Sequence, residues 1–187
     1  RSSASASVKL QEVTIALTDA VTGEVWQLTQ SSAEIAISPE QTRAVFAGVL
    51  SEPSGDGGSM QGSIDIAQTP ATSNASTWDL DITCESLPLS AISLVRRRFP
   101  DVSASIPSKI HGDATGTVHL AGGSEGTIEA AVKQLEVRDL NASDPGSREW
   151  RNSLATLNGT LVVEGDRVIG RELKAATDFA SATIDGA

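Results

Sequence analysis

Apolar and polar residues alternate with period two along most of the chain. Val8 and Leu10, then Val13, Ile15 and Leu17, are separated by polar positions, which is the signature of a half-buried strand. The phase slips by one residue near Gln11 and Glu12, as a β-bulge would produce. Trp26 and Leu28 share one face of the next run, Val25 to Thr29. Ala33, Ile35 and Ile37 alternate up to Pro39, and Arg43 to Leu50 follows. Met60, Gly62, Ile64 and Ile66 form another run. Trp78, Leu80, Ile82 and Cys84 alternate cleanly, with Asp79, Asp81 and Thr83 facing the other way.

Later in the chain Val118 and Leu120 alternate with Thr117 and His119. Ile128, Ala130 and Val132 pass to Leu135 and Val137 through a second phase slip. Leu157, Gly159, Leu161 and Val163, then Val168 to Leu173 and Phe179 to Ile184, complete the series. Turn chemistry separates these runs: residues 19–24, the PSGDGG segment within 52–59, the polar stretch 69–76, Gly122-Gly123, the DPG-containing loop 141–149, and a hairpin turn at Glu164-Gly165-Asp166. The pattern predicts roughly ten to twelve short strands in an antiparallel meander, apolar on one face and polar on the other.

One stretch departs from this rhythm. Leu89, Ile92, Val95 and Phe99 recur three or four apart, which predicts a short helix around residues 87–99. Pro88 suits a first helical turn. Arg96, Arg97 and Arg98 suit the last turn, where positive charge complements the helix dipole, and Pro100 stops the helix. The reading is a cap over the open end or face of the sheet, its arginines solvated. An interfacial membrane helix is the alternative, but a turn and a half of apolar face is small for that role. The strand–turn–strand passages at 109–137 and 154–184 resemble each other as a faint internal repeat, which favours a stacked or elongated sheet over a closed barrel. The fold class is therefore mainly β in a single domain, 1–187, with possible sub-units 1–86 and 87–187.

Composition narrows the function. The 187 residues carry a net charge of −10, which argues against nucleic acid, whose phosphates need a basic face. Hydrophobic residues make up 39% of the chain but aromatics only 3%, with no Tyr, so the expected core is thin and built from small side chains. Cys84 is alone, which excludes an intrachain disulfide. No apolar run approaches the roughly 20 residues of a membrane-spanning helix. Arg1 is followed by a Ser/Ala stretch, not the apolar core of a signal peptide, and the chain ends in mid-pattern. It reads as a piece of a longer protein, with any anchor lying outside it.

Chemistry-bearing residues offer little to catalysis. His111 and His119 are eight positions apart and would share a face of one strand, but no third metal ligand is evident. Asp79 and Asp81 are of the residue type that does acid–base work or holds calcium, yet a solvated strand face explains them. Asp56 is a turn residue between glycines. No G-x-S-x-G elbow occurs, and Gly122-Gly123-Ser124-Glu125-Gly126 lacks the ending of a phosphate loop. Asn74, Asn141 and Asn158 head N-x-S/T triplets, which chance explains in a chain rich in Ser and Thr. The expectation is a protein that is not an enzyme and has no cofactor or metal.

The run LPLSAISLVRRRFPDVSASIPSKIHGDATGTVHLAGGSEGTIEAAVKQLEVRDL resembles the AsmA-like and TamB-like proteins, with their leucine-proline-leucine, short helix, proline and Gly-rich strand pair. The closing segment LNGTLVVEGDRVIGRELKAATDFASATIDGA resembles their hairpins, and the opening VTIALTDAVTGEVWQL their strand–turn–strand unit. The resemblance implies a curved sheet forming a groove or half-pipe, in the periplasm or cell envelope of a bacterium with two membranes. It implies a membrane-anchored parent protein engaged in intermembrane lipid transport or outer-membrane biogenesis, with phospholipid acyl chains as partners. The expected lipid-facing residues are Ile15, Leu17, Trp26, Leu28, Ile35, Ile37, Trp78, Leu80, Ile82, Val118 and Leu120. The competing reading of the same residues is an ordinary core, packed against itself or the helix. The rival function is a structural or adhesive β-domain, a sandwich or solenoid piece of a secreted or surface protein.

Overall fold

Period-two alternation does fold as strands. The computed structural model describes residues 5–18, 23–68, 76–92, 109–123, 127–143, 149–164 and 167–186. Ten strands run in chain order: β1 (Ala6–Thr18), β2 (Val25–Ile37), β3 (Gln41–Ser51), β4 (Gly57–Gln68), β5 (Ser76–Pro88), β6 (Lys109–Gly123), β7 (Thr127–Ser143), β8 (Trp150–Glu164), β9 (Arg167–Ala176) and β10 (Ser181–Gly186). Each pairs antiparallel with its neighbours in sequence, giving one sheet of order β1 to β10. The sheet is not closed: β1 and β10 end the order at opposite sides.

The register aligns side chains of one kind across the sheet. One row runs Val8, Ile35, Ala44, Ile64, Leu80, Leu120, Ala130, Leu161 and Gly170, from β1 to β9. The adjacent row, on the same face, includes Ile37, Ile66, Trp78, Ile128, Val163 and Val168. Directly opposed residues have their Cβ atoms on the same side and about 5 Å apart, so the first row is an apolar contact line, while in the second Thr42 stands between Ile37 and Ile66 and Gly122 between Trp78 and Ile128. The Trp78 indole lies over Gly122, where a Cβ would come within 2.6 Å of its Cε2.

Strands this long drift out of phase unless residues are inserted, and bulges do the inserting. Among the described residues, six non-glycine ones have left-handed backbone: Glu12, Gln30, Ser86, Gln134, Asp139 and Glu172, with φ between 49° and 53°. Register shifts accompany them, between Leu10 and Val13, Thr29 and Ser32, Cys84 and Leu87, and Val132 and Leu135 among others. The extra residue restores the phase, so that Val132 and Leu135, three positions apart, face the same side. The two slips legible in the sequence, at Gln11-Glu12 and between Val132 and Leu135, are bulges here. All six residues are polar and short of β-branching, which keeps the cost of left-handed backbone at about 1–2 kcal/mol each.

The opposite face carries charge. Lys9 pairs with Glu34 at 3.6 Å and Arg43 with Asp65 at 3.8 Å. His119 Nδ1 lies 2.9 Å from Asp81 and Nε2 lies 3.8 Å from Asp79. This face is mixed toward β8, where Val162, 2% exposed, stands between Glu129 and Ile169.

Three expectations need correcting. The helix around 87–99 does not begin as expected: Leu87 and Pro88 belong to β5, opposite Ala114 and Asp113, and among the described residues a single 3-10 turn, Leu89–Ala91, follows. Pro88 is extended at φ −67°, ψ 124°, so it continues the strand after the bulge at Ser86. Val95, Arg96, Arg97, Arg98 and Phe99 lie outside the described residues. Asn141 belongs to β7 and not to a loop, and Phe179 lies in the turn before β10. A residue-by-residue period is a weak guide at strand ends, where pairing across the sheet decides how far a strand runs.

Candidate functional site

The eleven expected lipid-facing residues all share the apolar face. Ile15 stands opposite Leu28, which stands opposite Leu50, and Leu17 stands opposite Trp26. Ile35 and Ile37 continue β2 toward Ala44 and Thr42. Trp78 is flanked by Ile66, Leu80 by Ile64 and Leu120, and Ile82 by Val118. The bulge at Gln30 is what keeps Leu28 and Ile35 on one side although their spacing is odd.

Their exposure grades from the sheet centre outward. Leu80, Ile82, Val118 and Leu120 are half-buried, screened by strands on both sides. Ile15 and Leu17 in the outermost strand are each 42% exposed, and Ile37 is 48% exposed. Trp26 differs: it is buried at 3%. Trp26 and Leu50 lie at the end of the face where the 3-10 turn docks, tied down by a hydrogen bond from the Ser90 hydroxyl to the Glu52 carboxylate. The Trp26 indole Nε1 is buried without a partner among the described residues.

No large side chain among the described residues is fully buried. A sheet packed against a second layer would bury its central Leu, Ile and Trp completely, because each would be covered from above as well as from the sides. Here the cover from above is absent among the described residues, apart from the single turn at one end. A small apolar pocket of about 120 Å³ opens on this face across β1 to β4. Leu10, Val13, Ile15, Leu28, Phe46 and Met60 line it, and the buried Ser31 hydroxyl is satisfied by the Val13 carbonyl at 2.5 Å.

The polar candidates assemble no catalytic centre. β6 spans both His111 and His119, but His111 stands opposite Asn141 whereas His119 reaches Asp81 and Asp79. Among the described residues no group of three or more His, Cys, Asp and Glu side chains is arranged to hold a metal ion. Cys84 is 8% exposed, and burial pushes its thiol up from 9.0. Asp56 sits in the β3–β4 turn, its carbonyl accepting from the Glu52 N–H at 2.6 Å. No helix among the described residues is long and apolar enough to cross a membrane.

Sequence reading overlooked a cluster around Asn152. Asp178 Oδ2 accepts from the Ser153 N–H at 2.6 Å and from the Ser153 hydroxyl at 2.7 Å, and these bonds hold the Asp178 carboxyl below its usual range. Asn141 and Arg151 both donate to Glu149 at 2.8 Å and lower its pKa, Arg151 most. Asn152 and Asp178 are 26 positions apart, and no spacing in the sequence marks their meeting. Comparison of the chain with protein-family models, with curated proteins and with solved structures finds no match.

Proposed function

We propose that this chain is a non-enzymatic module of a bacterial cell envelope, in the manner of the AsmA-like and TamB-like proteins, that shelters phospholipid acyl chains on its apolar face. One observation carries the proposal: the ten-stranded sheet presents Val, Ile, Leu and Trp on a common face that no second layer of described residues covers. An acyl chain laid along that face would be driven there by about 25 cal/mol per Å² of apolar surface removed from water. The mechanism is passive. The charged pairs on the opposite face of β1 to β6 stay hydrated and keep the sheet oriented, and the bulges bend and twist the strands they interrupt toward a half-pipe.

The test is binding of a fluorescent phospholipid by the whole chain, repeated with Leu80→Asp and Ile82→Asp together. Saturable binding by the parent, lost in a variant that keeps its β circular dichroism, supports an acyl-chain groove. A parent that binds no phospholipid overturns it and leaves a structural or adhesive β-domain as the better account.

A further inference from the structure

A sheet that does not close has two edges. Among the described residues β1 and β10 each have a neighbouring strand on one flank only. Every residue of β10 is exposed, and every residue of β1 except Val13. Such an edge offers backbone N–H and C=O groups to another strand. The meander has ten strands, an even number, so β10 runs opposite to β1. A second copy laid with its β1 beside β10 therefore pairs antiparallel and continues the order of the sheet.

The two faces restrict the register. Ile184 stands opposite Leu173 and Gly186 opposite Gly170, so both lie on the apolar face and Asp185 lies on the charged one. In β1, Val8 and Leu10 lie on the apolar face, and Lys9 reaches Glu34 on the charged one. A match shifted by one residue would set apolar side chains of one copy beside charged ones of the next, so only every second register keeps the faces together. The row that runs from Val8 to Gly170 ends at Gly186, and carried straight on it meets Val8 of the second copy. That register sets Ile184 against Leu10, which are 55% and 48% exposed, and Asp185 against Lys9. Moved two residues one way, it sets Asp185 against Ser7; moved the other way, it sets Asp185 against Gln11 and Ile184 against the bulge at Glu12. Of these three registers, the straight one joins opposite charges and apolar side chains together. The bulge is no obstacle to it. Beyond Leu10, β1 already matches three residues to two of β2, Leu10 to Ala33 and Val13 to Ser31, and Ile184 and Ala182 have the same spacing as Ala33 and Ser31.

We propose that the chain associates head to tail with copies of itself, β10 of one copy against β1 of the next, with Asp185 opposite Lys9. The two edges differ, so the contact is heterologous and leaves each copy one edge for a further contact. The inference does not depend on what the apolar face holds. The test is sedimentation velocity of the whole chain from micromolar to millimolar concentration, repeated with Lys9→Glu, with Asp185→Lys and with both together. The parent should show a mass above that of one chain, rising with concentration. Each single variant should weaken association about tenfold, the swing from an attractive to a repulsive opposed pair, and the double variant should recover it. Both positions are exposed, so all three variants should keep the parent's β circular dichroism. A chain that stays monomeric throughout overturns the proposal and leaves the edges to strands of other proteins. An effect of only one single variant overturns it as well, since like edges would then be pairing. So do single variants that associate as the parent does, or a double variant that fails to recover.

Discussion

Gly159 in β8 stands directly against the bulge at Glu172 in β9: a Cβ on Gly159 would lie 2.6 Å from the Glu172 carbonyl oxygen and 2.5 Å from the Leu173 Cα. Gly159 is itself at φ 124°, a conformation closed to side-chain-bearing residues. The bulge and the glycine therefore form one unit, in which the extra residue of one strand occupies the space the other leaves empty. Gly159→Ala should destabilise the sheet by more than about 2 kcal/mol, since strain and steric overlap add. Chemical denaturation checks this, and a midpoint equal to the parent's would show that β9 simply slides to make room.

Trp26 and Leu80 share a face but not a fate on truncation. Trp26 is 3% exposed, so Trp26→Ala should cost about 3–5 kcal/mol, the range for a buried aromatic. Leu80 is half-buried, and Leu80→Ala should cost only about 1–2 kcal/mol, because part of its surface is already in water. Equal losses in the two variants would mean that Leu80 is covered in solution.

Acid should weaken the β7–β8 end of the sheet first. The carboxyls of Glu149 and Asp178 have pKa values lowered from 4.5 and 3.8 by hydrogen bonds that exist only in the folded chain. A depressed carboxylate stabilises the fold above its unfolded value, and that stability is lost as pH falls through the folded value. Urea midpoints measured from neutral pH downward should therefore begin to fall near pH 4.5 and continue below pH 3.8. Asp178→Asn should flatten the lower part of that decline; a decline identical to the parent's would show that the Ser153 bonds contribute nothing to it.

Cys84 should react slowly while the sheet is intact. Burial raises its thiol from 9.0, leaving little thiolate near neutral pH, and only 8% of the residue is exposed. Alkylation by iodoacetamide should follow global unfolding, accelerating steeply at the denaturant midpoint. Rapid labelling in buffer would show that β5 and β6 separate locally.

Period-two alternation is a local property, and it alone determined most of this architecture. Trp78, Leu80 and Ile82 against Asp79 and Asp81 suffice to fix a strand and its two faces, and a phase slip such as Val132 to Leu135 marks a bulge without knowledge of its neighbours. What needed the assembled sheet were properties of pairing. The apolar spacing after Leu87 reads as a helix, yet Pro88 pairs with Asp113 as strand, because partners from β6 are present to receive it. Trp26 looks like any other residue of its row, yet in the folded sheet it is 3% exposed whereas its row neighbour Leu17 is 42% exposed. Asn152 meets its partner only in the folded sheet, where the N–H of Asp178, distant in the chain, donates to its side-chain oxygen. Burial and hydrogen-bond satisfaction depend on residues that folding brings together, and those are the quantities that no single strand's pattern contains.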